Sequence, residues 1–412
     1  MDFEFHFTEE MERFRGEVRT FIEENALKVR LTHGQMTMPT PELYLKGREM
    51  QRKLGAKGWF APNYPKEYGG GGLDTEHCLV LIQEFSRARE QGRWITMPQV
   101  SPIQTSGVLA FGTEEQKRRF LTPLLRGEWE GWQCFTEPEA GSDEAALKSS
   151  AVRDGDVYII NGTKVFVGDA PDPVRPDYLY WLAVTNPDAP RHDNLSAFFV
   201  PADLAGIHFQ PLDLITSVTG QKWEIVCEDV RCPADRRIGQ EGKGWQVAQA
   251  TLAVERGGAG SVAPRNTFIL KIVDYCKNTM RNGQPLSQDP FIQDLLVELY
   301  IEYHVGRLWG LRNYAMGKGQ IPRELYTITQ GSLHEKRFIP HLGRRLLDIL
   351  GPHSLLDDPE LQILKGEVEY HVRNADCTHH GGTPEMQQIM MARALGLGRG
   401  AARTLGKPDT TF

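Results

Sequence analysis

Short strand-like runs occupy only the middle of this 412-residue chain, and this order is the strongest constraint on its fold. The runs Val157 to Ile160 and Lys164 to Val167 flank an Asn161-Gly162 pair, the strongest short signal for a β-hairpin. Further β-rich runs, separated by Pro, Gly, Asp and Asn, continue to Val230, as is typical of an antiparallel sandwich or barrel. We therefore predict one β domain with other structure on both sides.

Apolar residues recur at helical spacing on both sides of this β region. Before it, predicted helices include Glu42 to Leu54 and Asp74 to Arg87. After it, the predicted helices are Trp245 to Glu255 and beyond, Thr267 to Met280, Pro290 to Met316, Tyr326 to Leu350, Glu360 to Ala375 and Pro384 to Leu397. Their lengths favour a bundle. The sequence predicts an α+β multidomain fold, with a helical domain over residues 1–127, a β domain over 128–239 and a helical domain over 240–412. A frayed tail is expected after Leu405.

Charge and hydropathy exclude several classes of partner. The 47 Lys and Arg against 54 Asp and Glu give a formal charge of -7, which provides no overall attraction for nucleic acid or an anionic membrane. No apolar run approaches the ~18 residues that a membrane span needs. The start of the chain is acidic and helical in pattern, unlike a signal or transit peptide. We expect a cytoplasmic protein with a small-molecule partner, no nucleic acid and no membrane span.

The six cysteines contain no C-x-x-C pair. A disulfide framework or structural zinc site is therefore not expected, and a reducing compartment fits the sequence.

Two loop-like stretches carry unusual composition. The stretch Cys134 to Asp143, CFTEPEAGSD, lacks apolar periodicity and offers hydroxyls, glycine and exposed amides. These groups suit a loop that wraps a polyanionic cofactor, although an acidic surface turn is the alternative. The second stretch is Gly69 to Gly72, which indicates either a close backbone approach or a solvated link.

Four separated segments resemble one family, the acyl-CoA dehydrogenases. They are Pro65 to Leu73 (PKEYGGGGL), Gly112 to Gly127 (GTEEQKRRFLTPLLRG), Phe135 to Asp143 (FTEPEAGSD) and Gly382 to Gln387 (GTPEMQ). The resemblance implies that the C-terminal domain is a four-helix bundle and that FAD lies between this bundle and the central antiparallel β domain. It also implies an acyl-CoA substrate, an electron-transfer flavoprotein or similar acceptor, and a homodimer or homotetramer.

The resemblance assigns residues to the FAD. In that family, the loop corresponding to Phe135, Thr136, Gly141 and Ser142 supplies amides and hydroxyls to the flavin and its phosphates, and Ser142 also reaches the substrate. The family usually places Trp, then Thr or Ser, against the flavin ring, where this chain has Phe166 and Gly168. Phe166 can still stack, whereas Gly168 offers only its amide. The remaining expected FAD contacts are Arg281, Gly351, Thr383 and Glu385.

The reaction of this family removes a proton beside a thioester carbonyl, so it needs one carboxylate with a raised pKa. The base lies in a Tyr-Glu-Gly-Thr motif near the C-terminus or in a Glu-Arg pair on the first helix after the β domain. Here Gly381 occupies the first position, and Glu255-Arg256 occupies the second. Glu255 follows apolar residues, an expensive environment for an unpaired carboxylate; a helical ion pair is the alternative interpretation.

The other expected roles near the substrate follow from the resemblance. Arg256 is assigned to substrate binding or helix support. The backbone amide of Gly381 is expected to polarise the thioester carbonyl.

Two departures from the family pattern bear on the FAD site. The family arginine that reaches the FAD of a neighbouring subunit is displaced here, where Arg281 can substitute, and Asp348 stands where an amide often meets the adenosine half.

We predict FAD-dependent dehydrogenation of an acyl-CoA to the 2-enoyl-CoA, with Glu255 as base. The alternatives are a flavin monooxygenase or oxidase on the same fold, and a non-catalytic subunit of a hetero-oligomer.

Overall fold

The computed structural model describes residues 7–27, 38–99, 103–216, 220–255, 268–322, 325–358 and 360–397. Their contacts divide them into two compact units. The first unit contains residues 7–27, 38–81, 94–99, 103–216 and 220–255, and the second contains residues 82–93, 268–322, 325–358 and 360–397. The predicted frayed tail lies outside the described residues.

Helices form the N-terminal part of the first unit. They are α1 (Glu9–Asn25), α2 (Pro41–Ala56), α3 (Thr75–Glu90, which ends in the second unit), α4 (Ile103–Phe111) and α5 (residues 114–125, with a π-helical turn at Lys117–Leu121). Threonine side chains begin three of them: Thr8 accepts from the amide of Met11, Thr40 from that of Leu43, and Thr113 forms a capping box with Gln116. These bonds satisfy amides that have no partner inside the first helical turn.

Within the described residues, an eight-stranded sheet forms the centre of the first unit. The strands are β1 (Gly131–Cys134), β2 (Ser150–Asp154), β3 (Val157–Val167), β4 (Tyr178–Val184), β5 (Leu195–Pro201), β6 (Ile207–Leu212), β7 (Lys222–Pro233) and β8 (Arg237–Ile238). Their order is β6-β7-β3-β2-β4-β5-β8, and β1 pairs with β4. Pairing is antiparallel except for β1 with β4 and a single parallel bridge from β2 to β4.

The predicted hairpin around Asn161-Gly162 is wrong. Strand β3 runs through this pair without turning, and its register against β7 shifts between Ile160 and Gly162. Gly162 has φ +147°, and a Cβ there would lie 2.1 Å from the Ser149 hydroxyl oxygen. The glycine therefore serves a bulge beside a close neighbour. The actual tight turn is at Gly155, φ +63°, between β2 and β3.

The sheet separates two apolar cores because alternate side chains of a strand point to opposite faces. On β4, Tyr178, Tyr180 and Leu182 pack on the side of Phe120, Phe135 and Phe199, whereas Leu179 and Trp181 pack with Trp132, Phe198 and Trp223. Helix α6 (Gly244–Glu255) adds Val247 and Ala248 to the first of these cores. The Thr251 hydroxyl lies 3.0 Å from that of Tyr180, which fixes this helix on the sheet.

The four consecutive glycines form a close backbone approach. A Cβ on Gly70 would lie 2.3 Å from the Tyr64 carbonyl oxygen, and one on Gly71 would lie 2.2 Å from that of Gly58. The Gly71 amide donates to Ala61 and the Gly72 amide to Tyr64. Side chains are excluded by this packing, so the alternative of a solvated link is wrong.

The second unit is mainly helical. Its elements are α7 (Phe268–Asn278), the short pair β9 (Met280–Arg281) and β10 (Gln284–Pro285), α8 (Pro290–Gly317), α9 (Leu325–Leu350), α10 (Glu367–Arg373) and α11 (Pro384–Ala394). Its core includes Phe268, Ile272, Leu299, Leu346 and Val368. The predicted helix from Glu360 to Ala375 is shorter, because Leu364 and Lys365, inside the 3-10 turn Ile363–Gly366, have positive φ, and α10 begins only at Glu367.

The predicted fold class is confirmed, with helical N- and C-terminal parts and a central sheet. The domain boundaries at residues 127 and 239 stay predictions. Across the described part of the chain, the helices lack a stretch with the length and apolar character that a bilayer span requires.

Candidate active site

The loop after β1, residues 134–143, is held by a buried lysine of β3. Lys164 is 0% exposed, and its ammonium donates to the Phe135 carbonyl at 3.1 Å and to the Glu137 carboxylate at 2.8 Å. Its Nζ also lies 5.3 Å from the centre of the Trp181 ring. The next residue, Val165, donates its amide to the Thr136 carbonyl at 3.0 Å. Strand β3 and this loop are thereby fixed side by side.

Glu137 completes the same cluster. One carboxylate oxygen accepts the Ser149 amide at 2.9 Å as well as Lys164, and the other accepts the Lys148 amide at 2.6 Å. Burial favours the neutral acid, but the Lys164 ammonium and the amide donors outweigh it and lower the pKa of Glu137. A charged, fully bonded carboxylate therefore anchors the loop.

The predicted flavin-binding residues of this loop differ in their exposure to solvent. The Phe135 ring is buried and packs 5.1 Å from the Tyr180 ring, so its role is in the core. Thr136 is partly exposed, and Gly141 and Ser142 are exposed. A Cβ on Gly141 would meet only the Thr136 methyl carbon, at 4.0 Å. Hydroxyls and open backbone are thus grouped at one surface of the first unit.

The end of β3 carries an exposed aromatic ring, one residue after the Val165 amide that donates to Thr136. Phe166 is 51% exposed and has φ +60°, a strained backbone conformation for a bulky residue. Gly168 has φ +69°, and a Cβ there would lie 2.5 Å from Cδ2 of Trp132. The Trp132 ring therefore fills the space that a hydroxyl-bearing side chain at position 168 would need. The glycine is required by its neighbour.

A group of charges lies beside Gly168. The Lys222 ammonium donates to the Gly168 carbonyl at 2.5 Å. The Asp169 carboxylate accepts from the Tyr44 hydroxyl at 3.4 Å, and Tyr44 also donates to Glu130. Burial, with a contribution from Glu130, raises the pKa of Asp169 to about 6.

The structure describes only part of the predicted Glu-Arg pair, Glu255 and Arg256. Glu255 is the final residue of α6, one turn after Thr251. Its side chain, and the whole of Arg256, lie outside the described part of the structure.

The predicted C-terminal residues meet at the start of α11. Gly381 and Gly382 have φ of +63° and +90°. Thr383 caps the helix by accepting the Met386 amide at 3.2 Å, and Glu385 follows in its first turn. Hydrogen bonds to the Glu385 carboxylate, first from its own backbone amide and then from the Thr383 side chain, lower the pKa of Glu385.

Two buried side chains hold the Gly381 loop. The ammonium of Lys336, from α9, donates to the carbonyls of Thr378, at 2.9 Å, and His380. The side-chain amide of Gln387, from α11, donates to the Gly381 carbonyl at 2.9 Å. The backbone on both sides of Gly381 is therefore fixed.

The residues expected at the adenosine half also lie near one another in the second unit. Arg281 donates to the Ile349 carbonyl at 3.1 Å, two residues before Gly351, where an added Cβ would meet no atom within 4 Å. Asp348 accepts from Arg345 at 3.2 Å, and Arg345 also bonds Glu298 at 2.8 Å. Both departures from the family pattern are thus engaged in bonds inside the unit.

Lys164, Lys336 and Gln387 were not predicted as site residues. The burial of Lys336 could have been predicted from the sequence. It lies three residues after Leu333 and ten before Leu346, among the buried apolar positions of α9. Lys164 gave no such signal, since the bulges of β3 break the alternation that marks a buried position.

The chemistry of the described residues fits FAD. An exposed ring at Phe166 matches an aromatic cofactor ring, and the neighbouring hydroxyl and open glycine of Thr136 and Gly141 suit hydrogen bonding to a ring edge and to phosphate. At position 168, the Trp132 ring leaves room for a backbone amide but not for a side chain. Among the described residues, there is no group of three side chains able to hold a metal ion.

Comparison with known proteins gives the same family along the chain. The models of the N-terminal, middle and C-terminal domains of acyl-CoA dehydrogenases match residues 8–128, 133–230 and 242–396. The acyl-CoA dehydrogenase IpdE1 of Mycobacterium tuberculosis is 30% identical over 404 residues, which are 95% of this chain and 99% of that protein.

Solved structures agree with these matches. The ChsE4-ChsE5 complex of Mycobacterium tuberculosis contains a chain with 26% identity and a TM-score of 0.77, covering 96% of this chain and 100% of that chain. The Tcur3481-Tcur3483 steroid acyl-CoA dehydrogenase is similar, at 25% identity and a TM-score of 0.77, with 97% and 100% covered. This chain therefore belongs to the acyl-CoA dehydrogenase family of FAD-dependent oxidoreductases that act on acyl-CoA.

Proposed function

We propose that this chain converts an acyl-CoA to the 2-enoyl-CoA with Glu255 as the general base. One observation carries the assignment: the C-terminal position used for the base in many relatives is Gly381, in a backbone conformation suited to glycine, while a glutamate ends α6. Gly381 can contribute a backbone N–H but no carboxylate. The proton must then go elsewhere, and Glu255 is the candidate at the other position.

The proposed residues divide the work as follows. Glu255 takes the proton from the carbon next to the thioester carbonyl. The N–H of Gly381 donates to the carbonyl oxygen, where negative charge develops as the proton leaves. FAD, when bound, accepts the hydride from the neighbouring carbon. Arg256 contacts the substrate or supports α6.

Residues proposed to contact FAD occur in each of the two units. In the first unit, these are the backbone of Phe135, the hydroxyls of Thr136 and Ser142, the open backbone of Gly141, the ring of Phe166 and the amide of Gly168. In the second unit, they are Arg281, Gly351, Thr383 and Glu385. Ser142 would also reach the substrate. An electron-transfer flavoprotein or a similar carrier would then reoxidise the cofactor, and a homodimer or homotetramer is the proposed assembly.

Anaerobic titration with a panel of acyl-CoA thioesters tests the activity. The panel includes straight-chain, branched and steroid side-chain acyl groups, the last because one similar structure is described as a steroid acyl-CoA dehydrogenase. At least one thioester should bleach the flavin absorbance. If none does, while a reductant and oxygen together support turnover of another substrate, the protein is instead a monooxygenase or oxidase.

A second function is favoured by one specific observation. Arg281 and Asp348, which differ from the family pattern at the adenosine half, are both bonded inside the second unit. Two similar structures are described by two chain names each. The chain would then be a subunit that relies on a different partner chain for its FAD. Flavin absorbance of the chain purified alone separates the two: the main proposal predicts a yellow protein and the second a colourless one.

A further inference from the structure

We propose that Lys336 strengthens the hydrogen bond that Gly381 donates to the substrate, and so acts as a positioning residue for the reaction. The inference rests on the proposed function, because it needs the Gly381 N–H to meet a thioester carbonyl. Lys336 is 6% exposed, and its ammonium donates to the carbonyl oxygens of Thr378 and His380.

The bond to His380 is the informative one. The carbonyl of His380 and the N–H of Gly381 belong to the same peptide group, whose resonance couples the oxygen to the nitrogen. A cation on the oxygen draws electron density from the nitrogen and makes the N–H a stronger donor. The ammonium of Lys336 thereby polarises the His380–Gly381 peptide group, whose N–H is proposed to face the substrate.

The other side of Gly381 is fixed independently. Gln387 is 0% exposed and donates to the Gly381 carbonyl at 2.9 Å. With φ of +63° at Gly381 and +90° at Gly382, the loop has a conformation that favours glycine and that the two side chains hold in place. A donor with fixed direction costs little reorganisation when charge develops on its acceptor.

The chemical consequence concerns the first half of the reaction. Removing the proton beside the thioester carbonyl moves electron density onto the carbonyl oxygen, so a stronger donor there makes that proton more acidic. Lys336 touches neither the substrate nor the proton in this scheme. It acts through the His380–Gly381 peptide group, and a merely structural lysine would hold the loop without this effect.

The test is the carbonyl stretching frequency of a bound thioester. The probe is a 2-enoyl-CoA, labelled with carbon-13 at the carbonyl and carrying the acyl group that best reduces the wild type. Isotope-edited infrared difference spectra are compared for wild type, Lys336→Met and Lys336→Arg. Wild type should lower the frequency relative to free thioester, Lys336→Met should lose at least half of that shift, and Lys336→Arg, which keeps the charge, should retain most of it. Flavin reduction in Lys336→Met should slow roughly tenfold to a hundredfold.

Controls make each outcome decisive. Lys277→Met removes an exposed lysine of the same unit and should match wild type. If Lys336→Met does not fold, Lys336→Gln keeps an uncharged donor and should lose the shift likewise. An unchanged frequency in a folded neutral variant contradicts the proposal, and failure of both neutral variants to fold would assign Lys336 a structural role alone. If wild-type flavin is not reduced by any acyl-CoA, the proposed function fails instead.

Discussion

Two loops of this protein are each fastened by one buried lysine, but the lysines differ in what they bind. Lys164 binds a carboxylate and a carbonyl of the loop at residues 134–143. Lys336 binds the carbonyls of Thr378 and His380 beside Gly381. In the first loop the charge is matched by Glu137, whose own bonds anchor the backbone. In the second, the ammonium donates to the carbonyl of a peptide group whose N–H is proposed to act on the substrate.

The difference suggests that the first lysine maintains the shape of its loop, whereas the second also polarises a peptide group. In the proposed FAD site, the first loop holds Thr136, Gly141 and Ser142 in place, and the ion pair of Lys164 with Glu137 makes this loop rigid. In the proposed mechanism, the second loop also polarises the thioester carbonyl of the substrate. Neutral replacements of the two lysines should therefore fail in different ways.

The largest effect on stability is expected for Lys164→Met. It leaves the Glu137 carboxylate buried without its cation, which should destabilise the protein by about 3–5 kcal/mol and reduce flavin retention. Chemical denaturation and the flavin-to-protein absorbance ratio measure both. The double variant Lys164→Met/Glu137→Gln should recover part of the loss, because no uncompensated charge remains. Additive losses in the double variant would show that the pair is not the anchor.

Gly168→Ala should be the next most damaging change. The added methyl group would lie 2.5 Å from Trp132, and the residue keeps φ +69°. We expect a loss of about 2–4 kcal/mol from overpacking and backbone strain together. Gly155→Ala is the matched control, since Gly155 has φ +63° and no neighbour within 4 Å. It should cost only about 1–2 kcal/mol, and equal losses in thermal denaturation would contradict a role for Trp132.

Asp169→Asn is expected to stabilise the protein, and the size of this gain depends on pH. Because the folded pKa is raised from 3.8 to about 6, the wild type loses stability as pH rises through this window and then stays constant. Asparagine avoids this loss, so the variant should be more stable than wild type by up to about 3 kcal/mol at pH 7.5, the equivalent of roughly two pKa units. The gain should vanish below pH 4. A gain that is the same at pH 4 and pH 7.5 in melting experiments would exclude titration of Asp169 as its cause.

The sequence predicted the order of helical, β and helical regions, because the spacing of apolar residues reflects which side chains are buried. It misread Asn161-Gly162, since a glycine with positive φ serves a bulge as well as a turn, and only the neighbouring Ser149 reveals which. It left Gly69 to Gly72 open, because a close approach depends on Tyr64 and Gly58, which are brought near by the fold.

The site shows the same limit. The loop at residues 134–143 was found from its composition, yet Lys164 was not, because the bulges in β3 hide its burial. Gly168 was recognised as a departure, but its cause, the Trp132 ring, comes from a different strand. The role of Glu255 stays a prediction.

The most direct measurement of the central proposal is the rate of anaerobic flavin reduction by the best acyl-CoA in wild type and Glu255→Gln. Glu115→Gln, at an exposed position of α5, is the matched control. Glu255→Gln should still bind the acyl-CoA and the FAD, but its reduction rate should fall by several orders of magnitude, because the proton has no other acceptor. The control should match wild type. Reduction at close to the wild-type rate in Glu255→Gln would contradict the assignment of the base.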